Sequence, residues 1–315
     1  MTVRHADKTR HEILVLGATG KQGGSTARQL LKRGWQVRAF VRDPAKAQAV
    51  DLAGLGATLY VGDLDDADSI HRAMYGVYGV FSVQTPLGPA GVPGEERHGK
   101  LVADIAAHNG GVRHYVHSSV GGATRPEGLH WREAKLRVEE RVLEHGLPAT
   151  FLRPAYFMEN LNTDMYPPIL EDGGLVYRRG LADGVKLQMI AAADIGVFAA
   201  QVFDEGPEDA VGHHLELAGD ELTGAEIAEA FARHTGLSAR YEAIAPDDLV
   251  NQSHWQVEAY GWLNRIGYSA DIPALRERFP ELSTLDSWLA RTAWKPGAPA
   301  AAPAAAPAAA SSPQA

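Results

Sequence analysis

A chain of 315 residues, 45% hydrophobic and 22% charged, holds enough apolar material for one large domain or two modest ones. Its net charge of −9 argues against direct contact with nucleic acid or an anionic membrane surface. The absence of cysteine excludes disulfides, thiolate metal sites and a cysteine nucleophile, and no apolar run reaches the roughly 20 residues of a membrane helix. With a polar start that does not read as a signal peptide, a cytoplasmic protein is expected.

Residues 1–10 read as a flexible N-terminus. The apolar run Ile13 to Leu16 then has the character of a buried strand and feeds Gly17-Ala18-Thr19-Gly20-Lys21-Gln22-Gly23-Gly24, followed by a helical segment from Ser25 to Arg33. Glycines at 17, 20 and 23 suit a dinucleotide-binding turn. The first allows a sharp bend, the second lets backbone N–H groups approach a pyrophosphate, and the third lets helix and strand pack closely. The helix N-terminus adds partial positive charge toward the phosphates.

Gln36 to Val41 alternates as a second strand and ends at Arg42-Asp43-Pro44-Ala45-Lys46. NAD-preferring folds usually place a carboxylate at this strand end. A guanidinium and an ammonium suit a 2′-phosphate instead, so Arg42 and Lys46 point to NADP(H); the alternative for both is a solvated loop surface. Asp43 is expected to cap a helix that Pro44 opens, running to Leu55.

Next come a strand at Thr58 to Val61, a helix capped by Asp66 and running through Met74, and a strand at Val77 to Val83. A proline-bearing loop, Gln84 to Gly94, leads into a helix from Glu95 to His108. His114 to His117 reads as a fifth strand ending at Ser118-Ser119, and a charged helix from Trp131 to His145 precedes a sixth, Thr150 to Arg153. Alternation of this kind makes a parallel sheet, whose ligands sit at the carboxyl ends of the strands. Gly17, Arg42, Asp63, Gln84, Ser118 and Pro154 all fall at such ends.

Beyond Asn160 the pattern is less regular. Strands are expected at Val185 to Ile190, His213 to Ala218 and Tyr241 to Ile244, with helices at Ala193 to Phe203, Gly224 to His234 and Pro246 to Leu263. The fold class is therefore α/β, a Rossmann-type doubly wound parallel sheet with a smaller C-terminal α/β domain covering the substrate. The expected boundaries are 11–160 for the NADP-binding domain and 161–295 for the substrate or partner domain. A piece of the latter, about 185–204, is expected to return to the first. Residues 296–315, rich in Ala and Pro, read as a disordered tail.

The residues also carry a resemblance. Gly-Ala-Thr-Gly-Lys-Gln-Gly-Gly (17–24), Val-Arg-Asp-Pro (41–44), Gly-Asp-Leu (62–64), Gly-Lys-Leu-Val-Ala-Asp-Ile-Ala (99–106), Val-His-Ser-Ser (116–119), Arg-Pro-Ala-Tyr-Phe-Met-Glu-Asn-Leu (153–161), Asp-Ile-Gly (194–196) and Ala-Gly-Asp-Glu-Leu-Thr (218–223) occur in order. Across roughly residues 11 to 245 the chain resembles the NmrA-like proteins, atypical members of the short-chain dehydrogenase/reductase superfamily. The resemblance implies NADP(H) binding, with the pyrophosphate on the 17–23 loop (Gly17, Ala18, Thr19, Gly20, Lys21, Gln22, Gly23) and the 2′-phosphate on Arg42 and Lys46. It also implies that Asp63 and Leu64 line the adenine, while Gln84, Thr85, Pro86, Phe157 and Asn160 lie near the nicotinamide ribose. Lys135 aligns with the family's lysine.

Reductases of the superfamily commonly pair that lysine with a tyrosine four residues earlier as proton donor. Trp131 stands there, and an indole N–H donates a hydrogen bond but yields no proton at neutral pH. Two readings follow. One is an NADPH-dependent oxidoreductase acting on a quinone or other conjugated carbonyl acceptor, with water as proton source and Lys135, Ser118, Ser119 or His130 assisting electrostatically. The other is an NADP(H) redox sensor acting through a regulatory protein partner. No metal site is expected, since adjacent His213 and His214 on a strand point to opposite faces. Trp255, Tyr260, Trp262 and Tyr268 read as core, with pocket wall or subunit contact as alternatives. Glu139, Glu140 and Arg141 read as a solvated helix face.

Overall fold

The computed structural model describes residues 8, 10–109, 111–125, 127–162, 167–245, 248 and 254–296. Seven strands form the main sheet: β1 (Glu12–Val15), β2 (Gln36–Val41), β3 (Thr58–Val61), β4 (Gly79–Ser82), β5 (His114–Ser118), β6 (Ala149–Pro154) and, late in the chain, the strand His214–Leu217. Their order places the late strand beside β6, then β5, β4, β1, β2 and β3, with every neighbouring pair parallel. The strand order reverses between β1 and β4, where Ile13 stands opposite Val37 on one side and Gly79 on the other. Parallel sheets of this kind open their ligand crevice at that point.

Helices α1 (Lys21–Lys32), α2 (Ala47–Gly54), α3 (Ala67–Met74), α4 (Gly91–His108) and α5 (His130–Glu144) connect the strands. Three of them differ from expectation at their starts, α4 beginning at Gly91, inside the expected loop, rather than at Glu95. Helix α1 begins four residues before Ser25, directly at the glycine loop. Helix α2 begins at Ala47 rather than Pro44, because the Asp43 carboxylate accepts from the Ala45 N–H (2.9 Å) and closes a local turn instead of capping the helix. Asp66 does cap α3, accepting from the N–H groups of Asp68 and Ser69.

The second half builds a cover lobe and also returns to the first. Its strands are β7 (Tyr156–Phe157), β8 (Ile169–Glu171), β9 (Gly174–Arg179), β10 (Lys186–Ile190), β11 (the late strand His214–Leu217), β12 (Asp220–Thr223) and β13 (Ala239–Ala243). They form two three-stranded mixed sheets, β12-β10-β7 and β13-β9-β8, while β11 completes the main sheet. Helix α6 (Ala192–Glu205) lies along α1, and a Cβ added at Gly196 would fall 2.3 Å from Ser25 Oγ; only glycine permits this crossing. Phe198, Val202 and Phe203 of α6 bury themselves in the same core as Ile13 and Leu30. The piece that returns therefore includes both α6 and β11.

Helices α7 (Pro207–Ala210), α8 (Gly224–Thr235), α9 (His254–Arg265), α10 (Ile272–Arg278) and α11 (Leu285–Thr292) complete the chain. Helix α8 starts on a reciprocal cap between Thr223 and Glu226. Asp194, from the Asp-Ile-Gly motif, is buried and accepts from the N–H and hydroxyl of Ser283, which fixes the approach to α11. Most of the expected flexible start, residues 246, 247 and 249–253 of the expected late helix and residues 297–315 of the expected tail lie outside the described residues. Lys8, inside the start, is held by an ion pair with Asp204.

Candidate functional site

The glycine loop leaves β1 through Gly17, whose φ of +61° is left-handed, and closes when Gly20 N–H donates to Gly17 O (2.8 Å). A Cβ on Gly23 would lie 2.3 Å from that same oxygen, so a side chain there would break the turn against the helix. Gly20 occupies the N-cap of α1 without a side-chain cap, and the first turn carries no acidic residue. Its N–H groups and partial positive charge are thus left for an anion. Ala18 is buried, Thr19 and Gln22 are half-buried, and Lys21 is exposed. Gln22 reaches across the crevice, where its Oε1 accepts from Ser118 Oγ at 2.5 Å and ties the loop to the end of β5.

Beside the loop lies a cleft of about 290 Å³ lined by Thr19, Arg42, Asp43 and Lys46. Both cations are exposed, and neither makes an ion pair among the described residues. Other nearby arginines are engaged: Arg28 with Asp51, Arg33 with Asp204, Arg38 with Glu12. Further along the edge, the backbone of Asp63 is clipped by the Ser69 hydroxyl, its carboxylate accepts from Asp65 N–H, and Leu64 packs onto the core beneath. A larger cleft of about 690 Å³ lies along α4, lined by Glu96, Arg97, Lys100 and Asp104. Its charged lining is satisfied internally, Glu96 by Lys100 and Arg137, and Asp104 by Arg141.

At the other end of the crevice, Gln84 is buried and donates to Ser82 Oγ (3.0 Å). Thr85 is exposed, its hydroxyl accepting from Leu87 N–H, and Pro86 is half-buried. Phe157 packs against the main core, and Asn160 is half-buried in the short 3-10 helix Met158–Asn162. Ser119 Oγ is buried without a hydrogen-bond partner among the described residues, whereas the Ser118 hydroxyl is committed to Gln22. His130 does not join this group. Its side chain is 82% exposed and faces Glu133.

Lys135 stands on α5 with its Nζ 2.6 Å from Glu95 Oε1, and both side chains are largely buried. The geometry is that of an ion pair, since neither Glu95 oxygen receives a well-aligned hydrogen bond. His117 is buried near them; burial, helped by the Lys135 charge, outweighs a contact with the Ser82 backbone, lowers its pKa to about 3 and keeps it neutral. Trp131, one turn before Lys135, has a buried indole N–H without an acceptor among the described residues, and its ring meets that of Trp255 at 5.6 Å. Glu95 escaped sequence reasoning because Glu95-Glu96-Arg97 looks like a solvated surface; only the close-packing Gly99 one turn later hinted at burial.

Two other expectations need correction or division. Glu139 is not solvated: it is buried in a two-pronged ion pair with Arg153, because its side of α5 rests on β6. Glu140 is exposed and Arg141 pairs with Asp104. Among the late aromatics, Tyr260 and Trp262 belong to the core, with Arg132 stacked 3.6 Å from the Trp262 ring centre, while Trp255 is 47% exposed.

The model of the NmrA-like family matches residues 9–273. The NAD(P)H azoreductase of Xenophilus azovorans is 32% identical over 232 residues, 74% of this chain and 77% of the azoreductase. Quinone oxidoreductase 2 of Escherichia coli is 29% identical over 241 residues, 75% of this chain and 79% of that enzyme. Among solved structures, NmrA, a negative transcriptional regulator in complex with NADP, superposes with a TM-score of 0.75 at 22% identity, covering 89% of this chain and 94% of NmrA; this likeness concerns the fold.

Proposed function

The chain belongs to the NmrA-like family and carries its NAD(P)H-binding oxidoreductase fold, and from that premise we propose an NADPH-dependent oxidoreductase acting on a quinone or other conjugated carbonyl acceptor. The observation that carries the reading is the cleft beside the glycine loop, where two exposed cations stand without a carboxylate partner among the described residues. Arg42 and Lys46 would hold the 2′-phosphate there, and the uncapped amides of α1 would hold the pyrophosphate. Bound NADPH supplies a hydride.

The chain's own contribution is placement and electrostatics. Gln22 and Ser118 hold the two sides of the crevice together, and Lys135 brings a fixed positive charge to its floor. Trp131 offers an aromatic face but no transferable proton. Hydride addition to a quinone, with one proton taken from water, gives the hydroquinone without a tyrosine.

The decisive experiment is loss of absorbance at the reduced-nicotinamide band with NADPH or NADH and a panel of quinones and enones. Saturable NADPH oxidation with one acceptor class supports the proposal. Trp131 in the tyrosine's place also favours a second reading, a redox sensor with a protein partner; tight NADP(H) binding with no turnover on any acceptor would select it.

A further inference from the structure

Glu95 and Lys135 sit at a defined height in the fold. A Cβ on Gly99 of α4 would lie 2.7 Å from Val138 of α5 and 3.3 Å from Gln84 Oε1, so the two helices touch directly over the end of β4. Both helices begin at the carboxyl edge of the sheet. Glu95 lies one turn before Gly99 and Lys135 one turn before Val138, which puts their ion pair one turn closer to the crevice than this contact.

The pair is poorly explained as a stability device. A buried ion pair is often no better than well-packed apolar residues, because both charges lose water. Here the carboxylate is 2% exposed, and neither oxygen receives an aligned hydrogen bond, so its burial is satisfied by the ammonium's charge alone. His117 nearby is neutral and brings no second charge. Trp131 lies one turn before Lys135 on α5 and has no charge to offer. An ammonium has three N–H donors; one is spent on Glu95 Oε1 at 2.6 Å, and the other two have no partner among the described residues.

We propose that Glu95 is a positioning residue for the nicotinamide end of the site: it fixes the Lys135 ammonium through one N–H and leaves that group's other two donors for a bound NADP(H). This rests on the NADP(H) reading above. Glu95 acts through Lys135 and need not touch the cofactor. Its effect therefore belongs to the nicotinamide half and spares the 2′-phosphate half held by Arg42 and Lys46.

The test is a double-mutant cycle read by titration with two probes, NADPH and adenosine 2′,5′-bisphosphate, alongside thermal melting. Glu95→Gln and Lys135→Met should each weaken NADPH binding about tenfold or more while leaving the bisphosphate within twofold of the wild type. The double variant should bind NADPH no more weakly than Lys135→Met alone, since the two residues act as one unit. It also removes both charges together, so it remains informative where Glu95→Gln strands a buried ammonium and unfolds. Losses that multiply, equal losses for both probes, or a double variant that binds NADPH like the wild type would each overturn the proposal. A wild-type chain that does not bind NADPH overturns this inference and the cofactor reading together, whereas normal wild-type binding that Glu95→Gln leaves unchanged overturns this inference alone.

Discussion

The two lobes bury their cores by different means. The nucleotide lobe sandwiches one seven-stranded parallel sheet between helices, so its strands β1, β4, β5 and β6 are almost continuously buried. The cover lobe has two small mixed sheets and relies on large aromatic residues, Tyr177, Phe231, Trp262, Trp288 and Trp294, to fill the space between them and its helices. The first lobe derives its precision from backbone geometry at strand ends. The second derives its shape from side-chain volume. A site that spans both should hold its cofactor with the first and select its acceptor with the second.

Trp288 gives the sharpest way to break this comparison. It is 1% exposed, and its indole N–H donates to Glu159 Oε1 at 3.1 Å. Trp288→Ala should cost about 3–5 kcal/mol of stability, because a large cavity remains and Glu159 keeps only its bond from the Ala192 N–H. Urea unfolding followed by NADPH titration would check it. Acceptor turnover should collapse while NADPH affinity falls less than tenfold; an equal loss of both would mean that the lobes form a single cooperative unit around the cofactor.

Acid should act on the opposite lobe. His114 and His117 lie on β5, and burial lowers their pKa values from 6.5 to about 4 and about 3. Both stay neutral in the fold and gain a proton on unfolding, so the unfolded chain binds more protons below pH 6.5 and stability falls with pH from there down. Between pH 7 and 5 the loss is about 2 kcal/mol for each histidine. The paired carboxylates of both lobes, such as Asp104 and Glu171, titrate at lower pH and do not contribute in this window. His117→Leu should remove a measurable share of this acid sensitivity in urea melts, the rest staying with His114 and His214; an unchanged pH slope would show that His117 is not kept neutral by the fold.

The contrast between lobes also explains what could be read from the chain alone. In the nucleotide lobe each element announces itself locally: an apolar strand, then a glycine turn, then a helix, with errors confined to helix ends. Helix α2 starts late because the Asp43 side chain competes for a backbone N–H, a balance of two local hydrogen bonds that composition does not decide. The cover lobe hid more. Strands β7 and β8 have two and three residues, too short for a period. Even so, one signal was available: Asp172-Gly173 sits between β8 and β9 with positive φ at both residues, the backbone of a tight hairpin that Asp-Gly favours. The Glu95–Lys135 and Glu139–Arg153 pairs were invisible, because a charged helix face shows its partner only after neighbouring elements pack.

Within the cofactor half, Arg42 should separate the two nicotinamide cofactors. Arg42→Ala is expected to weaken NADPH binding by about 1.5–3 kcal/mol, the worth of a hydrogen bond to a charged group, and to leave NADH nearly untouched. Parallel fluorescence titrations with the two cofactors would decide it. Equal weakening would place the 2′-phosphate elsewhere or remove it from recognition altogether.

The smallest effect tests whether the cover lobe chooses the acceptor. Trp255 is 47% exposed, yet its ring lies 5.6 Å from that of Trp131, whose N–H lacks an acceptor among the described residues. An aromatic that is half in water adds little to folding, so Trp255→Ala should change stability by no more than about 0.5 kcal/mol. Its worth to an aromatic ligand is larger, about 0.5–1.5 kcal/mol, or two- to tenfold in KM for a quinone. NADPH affinity should stay as it is, because the nucleotide lobe holds the cofactor without Trp255. Steady-state kinetics with a planar quinone and with a small non-aromatic enone would separate the outcomes: a rise in KM for the quinone alone assigns the aromatic pair to the pocket wall. No rise for either would return Trp255 to the role of a surface residue that merely covers Trp131.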